Sequence, residues 1–159
     1  MENILSTNEI THPCFSINAA SKFARLHLPV APECNIKCAY CNRKFDCANE
    51  NRPGVTSSVL TPEEALERFK IATEKIPDIK IVGIAGPGDP LANSGSVFKT
   101  FRLIRKYDDK INFCISTNGV ELKKYADEIK SIGIKYITVT VNSRKIEVAR
   151  TLYKWAKDG

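Results

Sequence analysis

The chain has 159 residues, 43% hydrophobic, 26% charged and 8% aromatic, with eight Gly and eight Pro, which excludes a disordered, collagen-like or low-complexity polypeptide and fits one folded domain. No apolar run approaches the roughly 18 residues that a membrane-crossing helix needs, and the start MENILSTNEITHPCFS lacks the apolar stretch of a secretory signal peptide; a cytoplasmic protein with no membrane partner is expected. Twenty-four Lys and Arg against 18 Asp and Glu give +6, which permits an anionic partner, but no basic and aromatic stripe accompanies it and nucleic acid is not an expected partner.

Residues 25–28 form the first expected strand, stopped by Pro29 and followed by a cysteine-rich loop to about residue 58. Thr61 then opens a helix with a capping box, Pro62 at its first position and Glu64 three residues after the cap. Ala65, Leu66, Phe69 and Ala72 mark its buried face, and Pro77 ends it. Residues 79–84 read as a short apolar strand running straight into Ala85-Gly86-Pro87-Gly88-Asp89-Pro90, a Gly/Pro loop at a carboxyl strand end.

A second helix is expected over 96–107, a strand over 111–116, and a turn at Thr117-Asn118-Gly119. The cleanest helical spacing, Leu122, Tyr125, Ala126 and Ile129, predicts a helix over 121–130, with Gly133 as its break. Residues 134–141 are rich in β-branched side chains and read as a fourth strand, and 146–155 as a last helix. Alternating strands and helices imply an α/β fold with about four parallel strands, either a small doubly wound domain or part of a barrel. Both architectures gather ligands at the carboxyl strand ends, where the cysteine loop, the GPGDP loop and the STNG turn fall.

Six cysteines in a reducing compartment favour metal ligation or redox chemistry over disulfides. Cys34, Cys38 and Cys41 are separated by three and two residues; three thiolates can hold three irons of a cubane and leave the fourth open, whereas a closed structural site normally uses four protein ligands. Lys22, Arg25, Lys37, Arg43, Lys44 and Arg52 outnumber Glu33, Asp46 and Glu50 around them, which helps to stabilise thiolates and an anionic cluster. A zinc knuckle or unconnected core cysteines is the competing reading.

The loop at Gly86, Gly88 and Asp89 is neither a Walker loop nor GxGxxG, and alone it reads as a tight turn. Ser116, Thr117 and Asn118 end the next strand at the same rim and could bond a ligand or simply cap the strand. Cys114 sits within a strand, where a free cysteine is usually a small core hydrophobe. His12 and Cys14 could converge on one metal or lie in a mobile terminus, Glu50 and Arg52 belong to a charged loop, and His27, between Leu26 and Leu28, reads as structural.

CxxxCxxC resembles the defining motif of radical S-adenosylmethionine enzymes. The runs His12-Pro13-Cys14-Phe15, residues 25–32, residues 34–47, residues 49–57 and residues 82–91 are further similar to the NifB family of nitrogenase iron-molybdenum cofactor biosynthesis, and the likeness extends from about His12 through Asn142. The resemblance implies a partial radical S-adenosylmethionine (β/α) barrel over residues 25–159, preceded by an extension, 1–24, with candidate cluster ligands. It implies a 4Fe-4S cluster on Cys34, Cys38 and Cys41 whose open iron takes the methionyl amine and carboxylate of S-adenosyl-L-methionine. Tyr40 would lie beside adenine, Gly86, Gly88 and Asp89 would receive the methionyl amine, and Ser116, Thr117 and Asn118 would meet ribose or methionyl groups.

Cys14 and Cys114, with His12, correspond in that family to ligands of an additional precursor 4Fe-4S cluster; Cys47 corresponds to a further ligand, and Glu50 and Arg52 to residues near the active centre. The implied reaction fuses two precursor clusters with added sulfide and inserts a methyl-derived carbide into an 8Fe core. The implied partners are an iron-sulfur cluster donor, a reductant, a cofactor carrier protein and a chain completing the barrel. The family barrel runs further and carries a CxxC pair that these six cysteines do not supply, so the chain is expected to be a fragment that does not complete cluster fusion alone. A non-catalytic iron-sulfur carrier or electron-transfer module, a different radical S-adenosylmethionine modifying enzyme and an inactive incomplete domain are the competing classes.

Overall fold

A computed structural model describes residues 12–42, 44–45, 47–49 and 58–157. Glu50 and Arg52 lie outside the described residues. After a single helical turn, α1 (Ile17–Ala20), the chain enters β1 (Ala24–His27), β2 (Ile36–Cys38), α2 (Pro62–Lys75), β3 (Ile79–Ile84), a 3-10 turn (Leu91–Asn93), α3 (Ser94–Tyr107) and β4 (Asn112–Thr117). It continues through α4 (Ala126–Ile132), β5 (Ile134–Val139), α5 (Ile146–Leu152) and β6 (Tyr153–Ala156).

Strands β1, β3, β4 and β5 form one sheet in that order, every pair parallel. Because the spatial order follows the chain order without reversal, successive right-handed crossovers place their helices on one face. A doubly wound sheet reverses its order at a switch point. The two architectures left open by the sequence are thereby separated, and the partial barrel is the one observed.

The helix-covered face holds the core. Leu28, Val82, Ile84, Phe113 and Ile115 meet Ala65 and Phe69 of α2 and Val97, Phe101 and Ile104 of α3 in one apolar cluster. The Phe101 and Phe113 rings lie 4.4 Å apart between centroids, and each fully buried large side chain contributes about 1.5–3 kcal/mol by leaving water. Alternate strand residues point to the opposite face; His27, Gly83, Cys114 and Tyr136 stand in register across all four strands.

Two expected helices are shorter than their patterns. The helix predicted over 121–130 begins only at Ala126, because Gly119 takes φ +80° and the Thr117 and Asn118 side chains accept the amides of Gly119 and Val120, which holds the entry as a turn. Leu122 and Tyr125 still pack on the core from that turn. The helix predicted over 146–155 stops at Leu152, and Tyr153–Ala156 instead pairs antiparallel with β2 in a second, two-stranded sheet. An available strand edge in the cysteine loop overrides the local helical pattern there.

The capping box at Thr61 is as expected: its hydroxyl accepts the Glu64 amide at 3.2 Å, and Glu64 accepts the Thr61 amide at 2.8 Å. Thr61→Ala should therefore cost about 1 kcal/mol and lower the thermal midpoint by about 3 °C, measurable by circular dichroism.

Candidate functional site

The segment after β1 runs beside the Gly/Pro loop. Ala31 and Pro87 form a parallel bridge, Gly88 donates its amide to the Ala31 carbonyl at 2.5 Å, and Asp89 donates to the Glu33 carbonyl at 2.7 Å. A Cβ on Gly88 would overlap the Glu33 carbonyl and stand 2.9 Å from that of Ala31, so glycine is required by close approach of two backbones. Asn93 fastens the same junction: its amide group donates to the carbonyls of Glu33 and Asp89, both at 2.8 Å, and its Oδ1 accepts the Glu33 amide at 3.1 Å. Cys34 follows directly.

The Asp89 carboxylate is buried and draws the end of β4 to this loop. It accepts the Thr117 hydroxyl at 2.9 Å, the Asn118 amide at 2.6 Å and the Leu91 amide at 2.9 Å. Asn118 in turn reaches the cysteine loop, donating through Nδ2 to Asn35 Oδ1 at 2.7 Å and to Cys34 Sγ at 3.8 Å. Cys38 ends β2, which β6 covers; the Ala39 amide donates to the Leu152 carbonyl at 2.7 Å. A turn from Cys38 to Cys41 is closed by a backbone hydrogen bond of 3.1 Å, and Lys37 Nζ donates to the Cys41 carbonyl at 3.0 Å.

These loops enclose a small cleft. Cys34, Cys38, Cys41 and Cys47 line it together with Tyr40. Gly88, Asp89, Ser116, Thr117 and Asn118 line it as well, whereas Gly86 of the same loop does not. Tyr40 donates its hydroxyl to Asn49 at 3.1 Å and accepts from Asn142 at 2.6 Å. Partial burial pushes its phenol above the usual range, against the Asn49 hydrogen bond, which pulls it down.

A second group gathers on the inner face of the sheet. His12 is fully buried, its ring 4.3 Å from that of Phe15 and 4.7 Å from that of Tyr136, and its Nδ1 accepts the Cys14 amide at 3.1 Å. Tyr136 is the register partner of Cys114, and His27 of Gly83 on the next strand. The structure thus brings His12 to the face that carries Cys114, with Cys14 exposed beside it in the chain. His27, which the sequence suggested was structural, stands on this face too; burial first, then the nearby His12 charge, push it down from 6.5 to about 4.

None of the six cysteines is in a disulfide. Among the described residues no three His, Cys, Asp or Glu side chains converge as they do around a single metal ion. Cys34, Cys38, Cys41 and Cys47 are instead spread around the cleft. Asn35 Nδ2 is buried beside Cys34 in the chain and has no hydrogen-bond partner among the described residues, a donor that suits an anionic group bearing sulfur acceptors. Three thiols on one cleft with this amide beside them are a donor set whose chemistry suits an iron-sulfur cluster.

The sequence pattern of the Radical SAM superfamily matches residues 28–156. The chain belongs to the radical SAM superfamily. By family it is a radical S-adenosylmethionine enzyme, a class that uses S-adenosylmethionine with a 4Fe-4S cluster. The chain is 47% identical over 152 residues to the FeMo cofactor biosynthesis protein NifB of Klebsiella pneumoniae, covering 96% of this chain and 32% of that protein. It is 44% identical to NifB of Chlorobaculum tepidum, over 96% of this chain and 36% of that one, and 48% identical to NifB of Herbaspirillum seropedicae, over 91% and 27%. The chain thus spans about a third of the length of the curated relatives it matches. The crystal structure of BtrN in complex with AdoMet and 2-DOIA superposes with a TM-score of 0.53 at 19% identity, covering 81% of this chain and 50% of BtrN, which shows a shared fold. Among the described residues no helix is long and apolar enough to cross a membrane.

Asn35 and Asn93 had no signature in the sequence. Both act through single side-chain amides that link segments far apart in the chain, and neither hydrophobic period nor ligand spacing marks such a residue.

Two outcomes follow from this geometry. Gly88→Ala should force the 31–33 and 87–89 segments apart, lowering stability by about 2 kcal/mol and weakening S-adenosylmethionine binding, to be read by thermal melting and by calorimetric titration; an unchanged affinity refutes the second effect. For His27, the unfolded chain binds the extra proton between pH 6.5 and about 4, so cluster-free protein should gain stability as pH rises through that window and lose about 3 kcal/mol as it falls. Denaturant titrations of wild type and His27→Gln across this range check the slope, which the variant should flatten.

Proposed function

We propose that this chain holds a 4Fe-4S cluster on Cys34, Cys38 and Cys41, binds S-adenosylmethionine against the GPGDP loop and the end of β4, and provides the radical step in assembly of the nitrogenase iron-molybdenum cofactor. The carrying observation is the convergence of the three cysteines, Tyr40, Gly88 and the Ser116–Asn118 rim on one cleft. When bound, such a cluster supplies the electron that cleaves a sulfonium carbon-sulfur bond of S-adenosylmethionine and releases a 5'-deoxyadenosyl radical and methionine.

The chain's own residues do the positioning. Gly88 lets the loop backbone lie flush against the segment leading to Cys34, so the methionyl group and the cysteines share one rigid floor. Asp89 spends its carboxylate on the end of β4, which fixes the Ser116 hydroxyl relative to the loop for ribose or methionyl contacts. The Tyr40 ring, anchored at its hydroxyl by Asn49 and Asn142, offers adenine a flat apolar wall. Tight prepositioning of this kind is what a short-lived radical requires.

The substrate class comes from the relatives named FeMo cofactor biosynthesis protein NifB. In this reading precursor 4Fe-4S clusters are the substrates, His12, Cys14 and Cys114 hold one of them on the inner sheet face, Cys47 serves at the cleft, and Glu50 and Arg52 act near the centre. Fusion of two such clusters and carbide insertion is the overall reaction to which the radical step belongs. A cluster donor, a reductant, a cofactor carrier protein and a chain completing the barrel are the partners.

Anaerobic reconstitution with iron and sulfide, followed by reduction in the presence of S-adenosylmethionine, should give an oxygen-labile cluster and 5'-deoxyadenosine. Replacing Cys34, Cys38 or Cys41 with Ala should remove most of that product while the far-ultraviolet circular dichroism is kept. Spectra showing only zinc, or no cluster, would refute the assignment; a stable cluster that neither binds nor cleaves S-adenosylmethionine would make the chain a carrier.

A further inference from the structure

The Asn118 side chain is fully committed within the protein. Its Oδ1 accepts the Val120 amide at 3.0 Å, one Nδ2 hydrogen goes to Asn35 Oδ1 at 2.7 Å, and the other is directed to Cys34 Sγ at 3.8 Å. The backbone amide of the same residue is bound to Asp89 Oδ2 at 2.6 Å. An Asn amide has two donor hydrogens, enough for these two acceptors. A residue that the strand-end position suggested as a contact for S-adenosylmethionine thus has its donors turned toward a cysteine and that cysteine's neighbour.

We infer that Asn118 is a positioning residue for the cluster ligand Cys34, donating an N–H···S hydrogen bond that eases reduction of the cluster. The inference rests on the proposed function, since it assumes a cluster on Cys34. The physical reason is charge. A hydrogen bond to a ligand sulfur is strengthened when the cluster gains an electron, so it favours the reduced form and raises the potential. The reduction itself is a one-electron transfer from an external low-potential donor to the cluster, with no bond made or broken at Asn118.

The anchoring explains why this donor can act. Asp89 holds the Asn118 backbone, Val120 fixes the amide plane, and Asn35, adjacent to Cys34, accepts the remaining hydrogen. The Nδ2 group therefore cannot rotate away when the electron arrives, and its orientation needs no reorganisation. Because Asn118 follows β4 directly and Asp89 bonds both Asn118 and the Glu33 carbonyl next to Cys34, the donor and the sulfur are held from one residue.

The test uses the reconstituted chain and two variants. Asn118→Ala removes the donor, and Asn118→Asp removes it while keeping an oxygen for the Val120 amide. Electron paramagnetic resonance at a series of poised potentials, without S-adenosylmethionine, measures the ratio of reduced to oxidised cluster, and iron content and melting temperature are recorded alongside. Both variants should load the cluster and show about fivefold less of the reduced form at a fixed potential, about 40 mV at 59 mV per tenfold for one electron. Unchanged potentials in loaded variants overturn the inference, as does a loss of S-adenosylmethionine affinity with no shift in potential, which would make Asn118 a ligand contact. Loss of the cluster from both variants overturns it as well, by making Asn118 a structural residue. Failure of the wild-type chain to load any cluster would instead count against the proposed function.

Discussion

The buried carboxylate of Asp89 is the constraint on which the candidate site depends. Leaving a carboxylate inside a protein costs several kcal/mol unless it is hydrogen-bonded, and here Leu91, Thr117 and Asn118 meet that need from two different segments. Each bond to a charged acceptor is worth about 1.5–3 kcal/mol, enough together to hold a strand end against a loop. Its backbone takes part as well: the Asp89 amide bonds to Glu33 and its carbonyl accepts from Asn93. One residue thereby fixes the start of the cysteine loop, the glycine loop and the rim of β4 relative to one another.

The sheet explains why these loops meet at all. Parallel strands in sequential order present all their carboxyl ends to one edge, and the helices that return the chain cover only one face. The opposite face is left for polar and sulfur-bearing side chains, and His27, Cys114 and Tyr136 occupy it. Apolar packing of α2 and α3 on the first face supplies the stability that lets the second carry groups unsuited to a core.

Much of this was readable in the residues. The sheet strands declared themselves through apolar period and through Pro and Gly at their ends, and Thr61, Pro62 and Glu64 spelled out a helix start that the structure reproduces bond for bond. The meeting of the three cysteines with the GPGDP loop was also legible, because loops after adjacent parallel strands must share an edge. What escaped were features set by partners distant in the chain. Tyr153–Ala156 has a helical pattern yet becomes a strand because β2 offers it hydrogen bonds, and the delayed start of α4 follows from side-chain bonds of Thr117 and Asn118 that no spacing rule encodes. His12 illustrates a third kind of gap: nothing local says that a histidine ahead of β1 will be buried against Tyr136.

The pairing of β6 with β2 also has a kinetic side. Residues 36–38 are closed by residues 153–156, so the strand carrying Cys38 finds its partner only after nearly all the intervening chain has been made and folded. Contacts so far apart in sequence are among the slowest to form, because the entropy of closing a long loop must be met before any bond is gained. The parallel sheet can assemble first from neighbouring units, leaving the thiols of the cysteine loop in an open segment during synthesis. Ordering of the segment around Cys38 is thus tied to the arrival of residues 153–156, well after the neighbouring parallel units can form.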